Sequence, residues 1–131
     1  MIGLDTNVMV RYIMQDDVKQ SAKATALIES LTSDNVGFIT MVSVVELYWV
    51  LTSSYGLTGQ QVAQALEAML CTKQLMVERA DQVMRALRVF GDGKADLADC
   101  LIERAAASAG CVQTMTFDVG ASQYAGMRLL V

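Results

Sequence analysis

Short apolar segments alternate with capped helical segments along the whole chain, and this alternation constrains the fold more than any other feature. Apolar segments predict five strands, at residues 1–4, 36–40, 75–78, 111–117 and 127–130. Helical patterns occupy residues 6–14, 17–31, 40–51, 58–71, 80–90 and 96–109, with a short helix before the last strand. Strands separated by helices predict a single α/β domain, in which a mainly parallel central sheet carries helices on both faces.

Local signals mark where several of these helices begin and end. Asp17 and Gln20 have the spacing of a capping box, in which the first side chain caps the helix and the other reaches back to it, and Thr58 and Gln61 repeat the pattern. The segment Gly91-Asp92-Gly93 is expected to end the helix at 80–90. These signals act within a few residues, so they predict helix bounds without reference to the rest of the fold.

The composition removes several classes of chemistry. The chain has no histidine, and its three cysteines form no C-x-x-C pair. These facts argue against a disulfide scaffold, a zinc site and catalysis by a Ser-His or Cys-His dyad. The net charge of −4 gives little nonspecific attraction for nucleic acid, because phosphate binding depends largely on lysine and arginine. Carboxylates acting with a hard metal ion are the main groups left.

The sequence gives no sign of membrane insertion or secretion. Its longest apolar-dominated run, residues 38–51, is shorter than the ~20 residues that a membrane span needs, and it contains Glu46. The first five residues, Met-Ile-Gly-Leu-Asp, carry neither a basic leader nor a long apolar segment. We therefore expect a cytoplasmic protein without membrane contacts.

Four acidic residues lie at predicted helix starts, and each alone has a simple structural explanation. Asp5 follows the first predicted strand and Asp118 follows the fourth, and either side chain could cap the next helix. Asp96 and Asp99 are three residues apart on one helix face, as an N-cap and the third helical residue would be. An acid in the first turn is favoured by the helix dipole in any case.

A fifth acid, Glu46, has two interpretations that depend on where its helix begins. It could complete a capping box that starts at Ser43. If the helix instead begins near residue 41, Glu46 is a carboxylate within an apolar segment, which is costly to bury unless it is paired or bound to a metal.

Together the acids suggest a common site. A parallel sheet places functional groups at the carboxyl ends of its strands, so the acids at strand ends and helix starts could converge. Converging carboxylates repel one another unless a cation neutralises them, and magnesium or manganese prefers such hard oxygen ligands. Metal ions held in this way can activate water and clamp a phosphoryl group, which suggests phosphodiester hydrolysis.

Four segments resemble, in order, the motifs of PIN-domain ribonucleases. They are Ile2-Gly3-Leu4-Asp5-Thr6-Asn7-Val8, Val44-Val45-Glu46-Leu47, Asp96-Leu97-Ala98-Asp99-Cys100-Leu101-Ile102 and Thr116-Phe117-Asp118. The similarity is above all to VapC-type toxins of bacterial toxin–antitoxin pairs, and it extends over the whole chain, 1–131, as one PIN domain. Each motif alone is short, but their order and separations make the resemblance specific.

The resemblance implies a metal-dependent endoribonuclease, with Mg2+ or Mn2+ as cofactor, that leaves a 3′-hydroxyl and a 5′-phosphate. Asp5, Glu46 and Asp99 match the family's three most regular acids. Asp118 matches a fourth, more variable acid. These four are the catalytic and metal-binding residues that the resemblance implies.

Supporting roles are implied for residues beside these acids. Asp96 matches a commonly acidic position one helical turn before Asp99. Thr6 and Asn7 match polar positions next to the first acid, and Thr116 matches a hydroxyl position near the fourth. Their implied task is to orient metal ligands and water.

The sequence departs from the family after the fourth acid. Relatives often have basic residues there, whereas Val119 and Gly120 follow Asp118, which removes an expected source of contacts to the RNA backbone. The remaining candidates for phosphate contact, each of which would also serve as a solvated surface charge, are Arg11, Lys19, Lys23, Arg85, Arg88 and Lys94. Tyr12, Tyr48 and Trp49 could stack on bases, although buried packing is the simpler role for Trp49.

The resemblance also implies partners. They are an RNA substrate, a second copy of the chain in a homodimer, and a cognate antitoxin, which commonly inserts a basic or apolar segment near the acidic pocket. One alternative is a non-catalytic PIN-like module that binds RNA or protein, which the complete set of acids disfavours. Another is a phosphotransfer domain, but its haloacid-dehalogenase-like form needs an aspartate where this chain has Asn7, and the acidic pair and late lysine of a receiver-like form are not evident.

Overall fold

Helices and strands alternate in the computed structural model, which describes residues 1–91 and 93–131. The elements of these residues are β1 (Ile2–Gly3), α1 (Thr6–Met14), α2 (Val18–Ser30), β2 (Gly37–Ile39), α3 (Met41–Ser53), α4 (Gly59–Leu70), β3 (Leu75–Val77), α5 (Ala80–Phe90), α6 (Leu97–Ser108), β4 (Met115–Thr116), α7 (Val119–Tyr124) and β5 (Arg128–Leu129). The predicted mixed α/β fold with parallel strands is confirmed. The chain divides into two compact units, 1–78 and 79–131, which are described in turn.

The first unit is built on a three-stranded parallel sheet in the order β1-β2-β3. Gly3 pairs with Phe38, and Phe38 pairs with Met76. The connections between these strands are helical, α1 and α2 between β1 and β2, and α3 and α4 between β2 and β3. Because the strands are parallel, their carboxyl ends lie at one edge of the sheet, and the residues that follow each strand gather there.

The sheet and helices of the first unit enclose an apolar core. Each large apolar side chain that is buried there contributes roughly 1.5–3 kcal/mol to stability. The side chains of this unit with at most 1% exposure include Met9, Ile28, Ile39, Val44, Leu47, Leu51, Val62 and Leu66. They come from helices α1 to α4 and from β2, so the core holds the start of α3 against the sheet.

Gly37 in β2 lies where two buried leucines approach the backbone closely. A Cβ atom at this position would stand 2.6 Å from Cδ1 of Leu4 and 2.8 Å from Cδ1 of Leu31. Carbon atoms in ordinary contact are about 3.5–4.0 Å apart. Only glycine therefore fits without displacing the leucines.

Two predicted capping boxes have different outcomes. Thr58 and Gln61 form the complete box at the start of α4. At the start of α2, the Oδ1 atom of Asp17 accepts the Gln20 backbone N–H at 2.8 Å, as predicted, but the Gln20 side chain does not reach back. Its Oε1 atom accepts the Nε–H of Arg11 at 2.7 Å instead. A hydrogen bond to a charged donor is stronger than one to a neutral amide, which explains the choice.

The second unit consists of a helix pair and a short parallel strand pair. α5 packs against α6, and β4 pairs with β5 through Met115–Arg128 and Thr116–Leu129. The apolar face of α5 buries Val83, Ala86, Leu87 and Phe90, which recur at the spacing of one helix face. Cys100 on α6 is fully buried, and burial raises its thiol pKa to about 11, so it stays protonated at neutral pH.

The predicted strand at 111–117 is mostly not a strand. Only Met115 and Thr116 pair with a neighbour, while residues 111–113 are exposed. A strand needs a partner for its backbone hydrogen bonds, and β5 offers only two pairing residues. The helix ends agree better with prediction: α6 ends at Ser108 with Ala109 as its C-cap, and Gly91 follows α5 with φ of 53°. The rest of the predicted break includes Asp92, which lies outside the described residues.

The apolar helix α3 is 13 residues long. Among residues 1–91 and 93–131, no helix is both long and apolar enough to cross a membrane.

Candidate active site

Asp5 lies two residues beyond the end of β1 and caps α1 in an incomplete way. Its Oδ1 atom accepts the backbone N–H of Thr6 at 2.9 Å, rather than an N–H of the second or third helical residue. The side chain is exposed, and its other oxygen accepts no hydrogen bond from the described residues. A helix-capping role therefore uses only part of this carboxylate.

Thr6, next to Asp5, carries a buried hydroxyl without a partner. The residue is 3% exposed, and its Oγ1 atom makes no hydrogen bond within the described part of the chain. Buried polar atoms are nearly always hydrogen-bonded, so an orphan requires an explanation. A hydroxyl beside an exposed carboxylate can orient a bound water or a ligand of the carboxylate.

Helix α3 begins one turn earlier than a capping box at Ser43 requires. Thr40 is the N-cap, and its Oγ1 atom accepts the backbone N–H of Ser43 at 3.1 Å. Glu46 is then the sixth residue of the helix, beyond the reach of any capping role. The capping-box interpretation of Glu46 is wrong, and so is the expectation of a costly buried carboxylate, because Glu46 is exposed.

The surroundings of Glu46 are nonetheless apolar. The residues that line an open depression of about 480 Å³ with it are Met41, Val42, Val45 and Trp49. Val42 is 76% exposed and Trp49 is 51% exposed, with the indole edge-on to Tyr48 at a ring-centroid distance of 6.1 Å. The buried packing role preferred for Trp49 is therefore wrong. Glu46 is an acid on an exposed apolar helix face.

Glu78 is an acid at the same sheet edge that the sequence analysis missed. It follows β3, donates its backbone N–H to Ile39 O at 2.8 Å, and accepts the Met41 backbone N–H on Oε1 at 2.8 Å. This contact satisfies a free donor at the start of α3 and complements the positive end of the helix dipole. Its position after a strand, like that of Asp5, was the available signal. Glu78 fixes where α3 begins, and thereby where Glu46 lies.

In the second unit, Asp96 and Asp99 share the first turn of α6 but have different tasks. Asp96 is the N-cap, and its Oδ1 atom accepts the Asp99 backbone N–H at 3.2 Å. The Asp99 side chain has no such task, and it is partly buried. The capping explanation accounts for Asp96 and leaves the Asp99 carboxylate for another role.

Asp118 lies in a tightly bonded turn between β4 and α7. Its backbone N–H donates to Thr116 Oγ1 at 3.0 Å, and its Oδ1 atom accepts the Gly120 backbone N–H at 2.8 Å. Thr116 thus holds the turn at Asp118, and its implied role of orienting metal ligands and water stays a prediction. One oxygen of Asp118 is used as a cap, and the other accepts no hydrogen bond from the described residues.

The acids of the second unit act on one another. The pKa of Asp99 is raised, first by burial and then by the negative charges of Asp96 and Asp118. The fold therefore holds three carboxylates close enough to disfavour ionisation of the central one. Such an arrangement is stabilised by a cation and is common at functional sites.

The predicted RNA-binding residues differ in availability. The Arg11 guanidinium, on α1, donates hydrogen bonds to both carboxylate oxygens of Asp16 at 3.1 Å and to the Tyr55 hydroxyl at 3.1 Å. It also donates to the Gln20 side chain. The same guanidinium lines a groove of about 460 Å³ between α1 and α2, with Asn7, Gln20 and Lys23. The cations on or just after α5, all exposed, are Arg85, Arg88 and Lys94.

The acids offer only hard oxygen donors, which suit Mg2+ or Mn2+. Asp5 and Glu46 belong to the first unit, and Asp96, Asp99 and Asp118 to the second. In the part of the chain that the structure describes, no three acidic or sulfur side chains are positioned to hold a metal ion. The metal set Asp5, Glu46, Asp99 and Asp118 stays a prediction, which rests on donor chemistry and on the repulsion at Asp99.

Comparison with known proteins identifies the family. No curated protein matches the chain. A family model for the PIN domain matches residues 2–127, a range that includes every acid discussed above. PIN domains are usually nucleases and typically use divalent metal ions. The chain belongs to the PIN domain family, and its function is of the nuclease type.

Proposed function

We propose that this PIN domain is a metal-dependent endoribonuclease of the VapC type, a toxin that hydrolyses RNA phosphodiester bonds and is restrained by a cognate antitoxin. The observation that carries the proposal is the cluster around Asp99, whose pKa is raised by burial and by the carboxylates of Asp96 and Asp118. A bound cation would relieve the repulsion among these carboxylates, which supports a metal site here.

The donor set supports the assignment of a magnesium or manganese ion to Asp5, Glu46, Asp99 and Asp118. When bound, such an ion supplies an activated water and neutralises charge on the phosphoryl group. Asp99 offers a carboxylate without a capping role, and Asp118 offers the oxygen not bonded to Gly120. Asp5 likewise offers the oxygen not bonded to Thr6.

The other residues act by position. Asp96 holds the first turn of α6 through the Asp99 backbone N–H, and Thr116 holds the turn at Asp118. The buried hydroxyl of Thr6 has no partner among the described residues, and its proposed task is to orient a water or metal ligand next to Asp5. No histidine is present for metal-independent proton transfer of the usual ribonuclease kind.

The proposed protein partners are a cognate antitoxin and a second copy of the chain. The exposed apolar face of α3, with Val42 and Trp49 beside Glu46, supports both. An apolar or basic antitoxin segment that covered this face would also approach an acidic group, which favours such a segment electrostatically.

The test is cleavage of a structured RNA by the purified protein with Mn2+ or Mg2+, and again with EDTA. We expect cleavage only with the divalent ion, with 5′-phosphate and 3′-hydroxyl ends. Asp99→Asn should be inactive, whereas Asp81→Asn, which removes an exposed acid in the first turn of α5, should be active and serves as the control.

Two results would contradict the proposal. Undiminished cleavage in EDTA, by a preparation free of contaminating nuclease, would exclude metal-dependent chemistry at these acids. Metal-independent RNA binding without cleavage would favour the alternative of a non-catalytic PIN-like module.

A further inference from the structure

Phe117 is an aromatic side chain exposed at the acidic cluster. It lies between Thr116 and Asp118 and is 80% exposed, whereas Phe90 is 1% exposed. Phenylalanine is among the residues most often buried. Single exposed apolar residues are common on protein surfaces, but this residue lies on a hydrogen-bonded turn next to a carboxylate of the acidic cluster.

The backbone on both sides of Phe117 is fixed. Thr116 pairs with Leu129 in the β4–β5 ladder, and its carbonyl accepts the Leu130 N–H at 2.7 Å. The Asp118 N–H donates to Thr116 Oγ1, and Asp118 Oδ1 accepts the Gly120 N–H. The backbone of Phe117 is therefore held next to Asp118, which reduces the backbone entropy lost when a ligand contacts the ring.

The surrounding loop offers nucleic acid no positive charge. Residues 111–126 contain no lysine or arginine, and Asp118 is their single charged residue. This segment therefore offers no cationic side chain to a phosphate, and its net charge does not attract a polyanion. The group that this segment can offer to RNA is the face of an aromatic ring, on which any base can stack.

We propose that Phe117 is a substrate-positioning residue that stacks on a base of single-stranded RNA next to the bond cut at Asp118. The inference rests on the proposed ribonuclease function and adds to it a residue that positions the RNA. Unpaired bases can leave the helical stack and meet an aromatic ring, whereas paired bases cannot. The base that Phe117 contacts would therefore be an unpaired neighbour of the scissile phosphate.

The test compares variants of Phe117 with a control on the same loop. Phe117→Ala and Phe117→Leu remove the ring, Phe117→Tyr keeps it, and Val119→Ala removes an apolar side chain that is 55% exposed on the other side of Asp118. We would measure KM and kcat for a single-stranded RNA oligonucleotide with Mn2+. The Kd of the same oligonucleotide would be measured in an Asp99→Asn background, in which cleavage is stopped.

Loss of a stacked base should raise KM and Kd about 5- to 150-fold for Phe117→Ala and Phe117→Leu, with a smaller change in kcat. Phe117→Tyr should bind like the wild type, and Val119→Ala should change Kd less than about twofold. The slope of log Kd against log salt should not change, because no phosphate contact is lost. In Phe117→Trp, added RNA should quench the fluorescence of the new indole. This decrease should exceed the change in Trp49 fluorescence that RNA causes in the wild type.

Three outcomes would overturn the inference. An active Phe117→Ala with wild-type KM and Kd would exclude a substrate contact. Equal Kd values of Phe117→Leu and Phe117→Tyr for the oligonucleotide would indicate an apolar contact rather than base stacking. An apolar protein partner would make a contact of that kind. A reduced salt slope would indicate a lost phosphate contact. Failure of the wild-type protein to cleave any RNA would instead refute the proposed ribonuclease function. The experiment therefore distinguishes failure of the Phe117 inference from failure of the proposed function.

Discussion

Substitutions at Asp96 and Asp99 should separate stability from catalysis within one helical turn. Asp96 Oδ1 accepts the Asp99 backbone N–H at 3.2 Å, so Asp96→Ala loses the N-cap of α6. Loss of such a cap costs about 1 kcal/mol. For a chain of this length, with an unfolding entropy of roughly 0.28 kcal/mol/K, the thermal midpoint should fall by about 4 °C. Asp96→Asn should leave it nearly unchanged, because asparagine is an equally good cap.

Asp99→Asn should act in the opposite way. The cap uses the backbone N–H of Asp99, which asparagine retains. Because burial and the neighbouring carboxylates raise the pKa of Asp99 in the folded protein, its ionised form opposes folding. Without metal, Asp99→Asn should therefore be at least as stable as the wild type. Its cleavage activity should fall by orders of magnitude, since a metal ligand is lost, whereas Asp96→Asn should lose about 10–100-fold.

The assay pairs thermal unfolding in EDTA, followed by circular dichroism, with initial rates of RNA cleavage in Mn2+. An inactive Asp96→Asn beside an active Asp99→Asn would show that the motif register on α6 is wrong by one turn. An unchanged thermal midpoint for Asp96→Ala would refute the role of its cap. A marked destabilisation of Asp99→Asn would refute the repulsion argument.

Three further predictions concern metal, pH and packing. Mn2+ should raise the thermal midpoint of the wild type and raise it much less in Asp5→Asn, because the ion binds the folded site alone; equal shifts would place the metal elsewhere. The pKa of Asp99 is higher in the folded protein than its ordinary value of 3.8, so the protonated side chain favours folding. This contribution to stability is lost as pH rises from 3.8 through the raised pKa. The stability advantage of Asp99→Asn over the wild type in EDTA should accordingly grow with pH over that window, and a pH-independent difference in thermal unfolding would contradict it. Gly37→Ala should lower the midpoint by roughly 4–10 °C, since its Cβ would meet Leu4 and Leu31 and overpacking costs about 1–3 kcal/mol; Gly3→Ala, whose Cβ meets nothing within 4 Å, is the matched control, and equal midpoints would refute the clash.

Features that depend on a few neighbouring residues could be predicted from the sequence. The bounds of α1 and α5 are as predicted, and Thr58 and Gln61 form their capping box. The caps at Asp17 and Asp96 were likewise readable, because a short polar side chain bonds an N–H two or three residues away. The order of strands and helices determined the parallel pairing, since a helical crossover returns the chain in the same direction.

Features that depend on distant contacts were decided by the tertiary structure. Thr40 and Ser43 were both possible N-caps of α3. The Glu78 carboxylate, 37 residues from Met41, accepts the Met41 N–H and thereby favours the start at Thr40. That contact rules out a capping role for Glu46. Residues 111–114 are not in a strand, because the two residues of β5 pair with Met115 and Thr116.

The electrostatics of the acidic cluster also required the fold. The spacing of Asp96 and Asp99 places them on one helical turn, but the charge of Asp118 acts on Asp99 only because β4 and α7 return the chain to α6. Phe117 illustrates the same division. The sequence by itself determined that an aromatic residue precedes Asp118, and the tertiary structure decided that this residue is 80% exposed, because the described residues leave that turn uncovered.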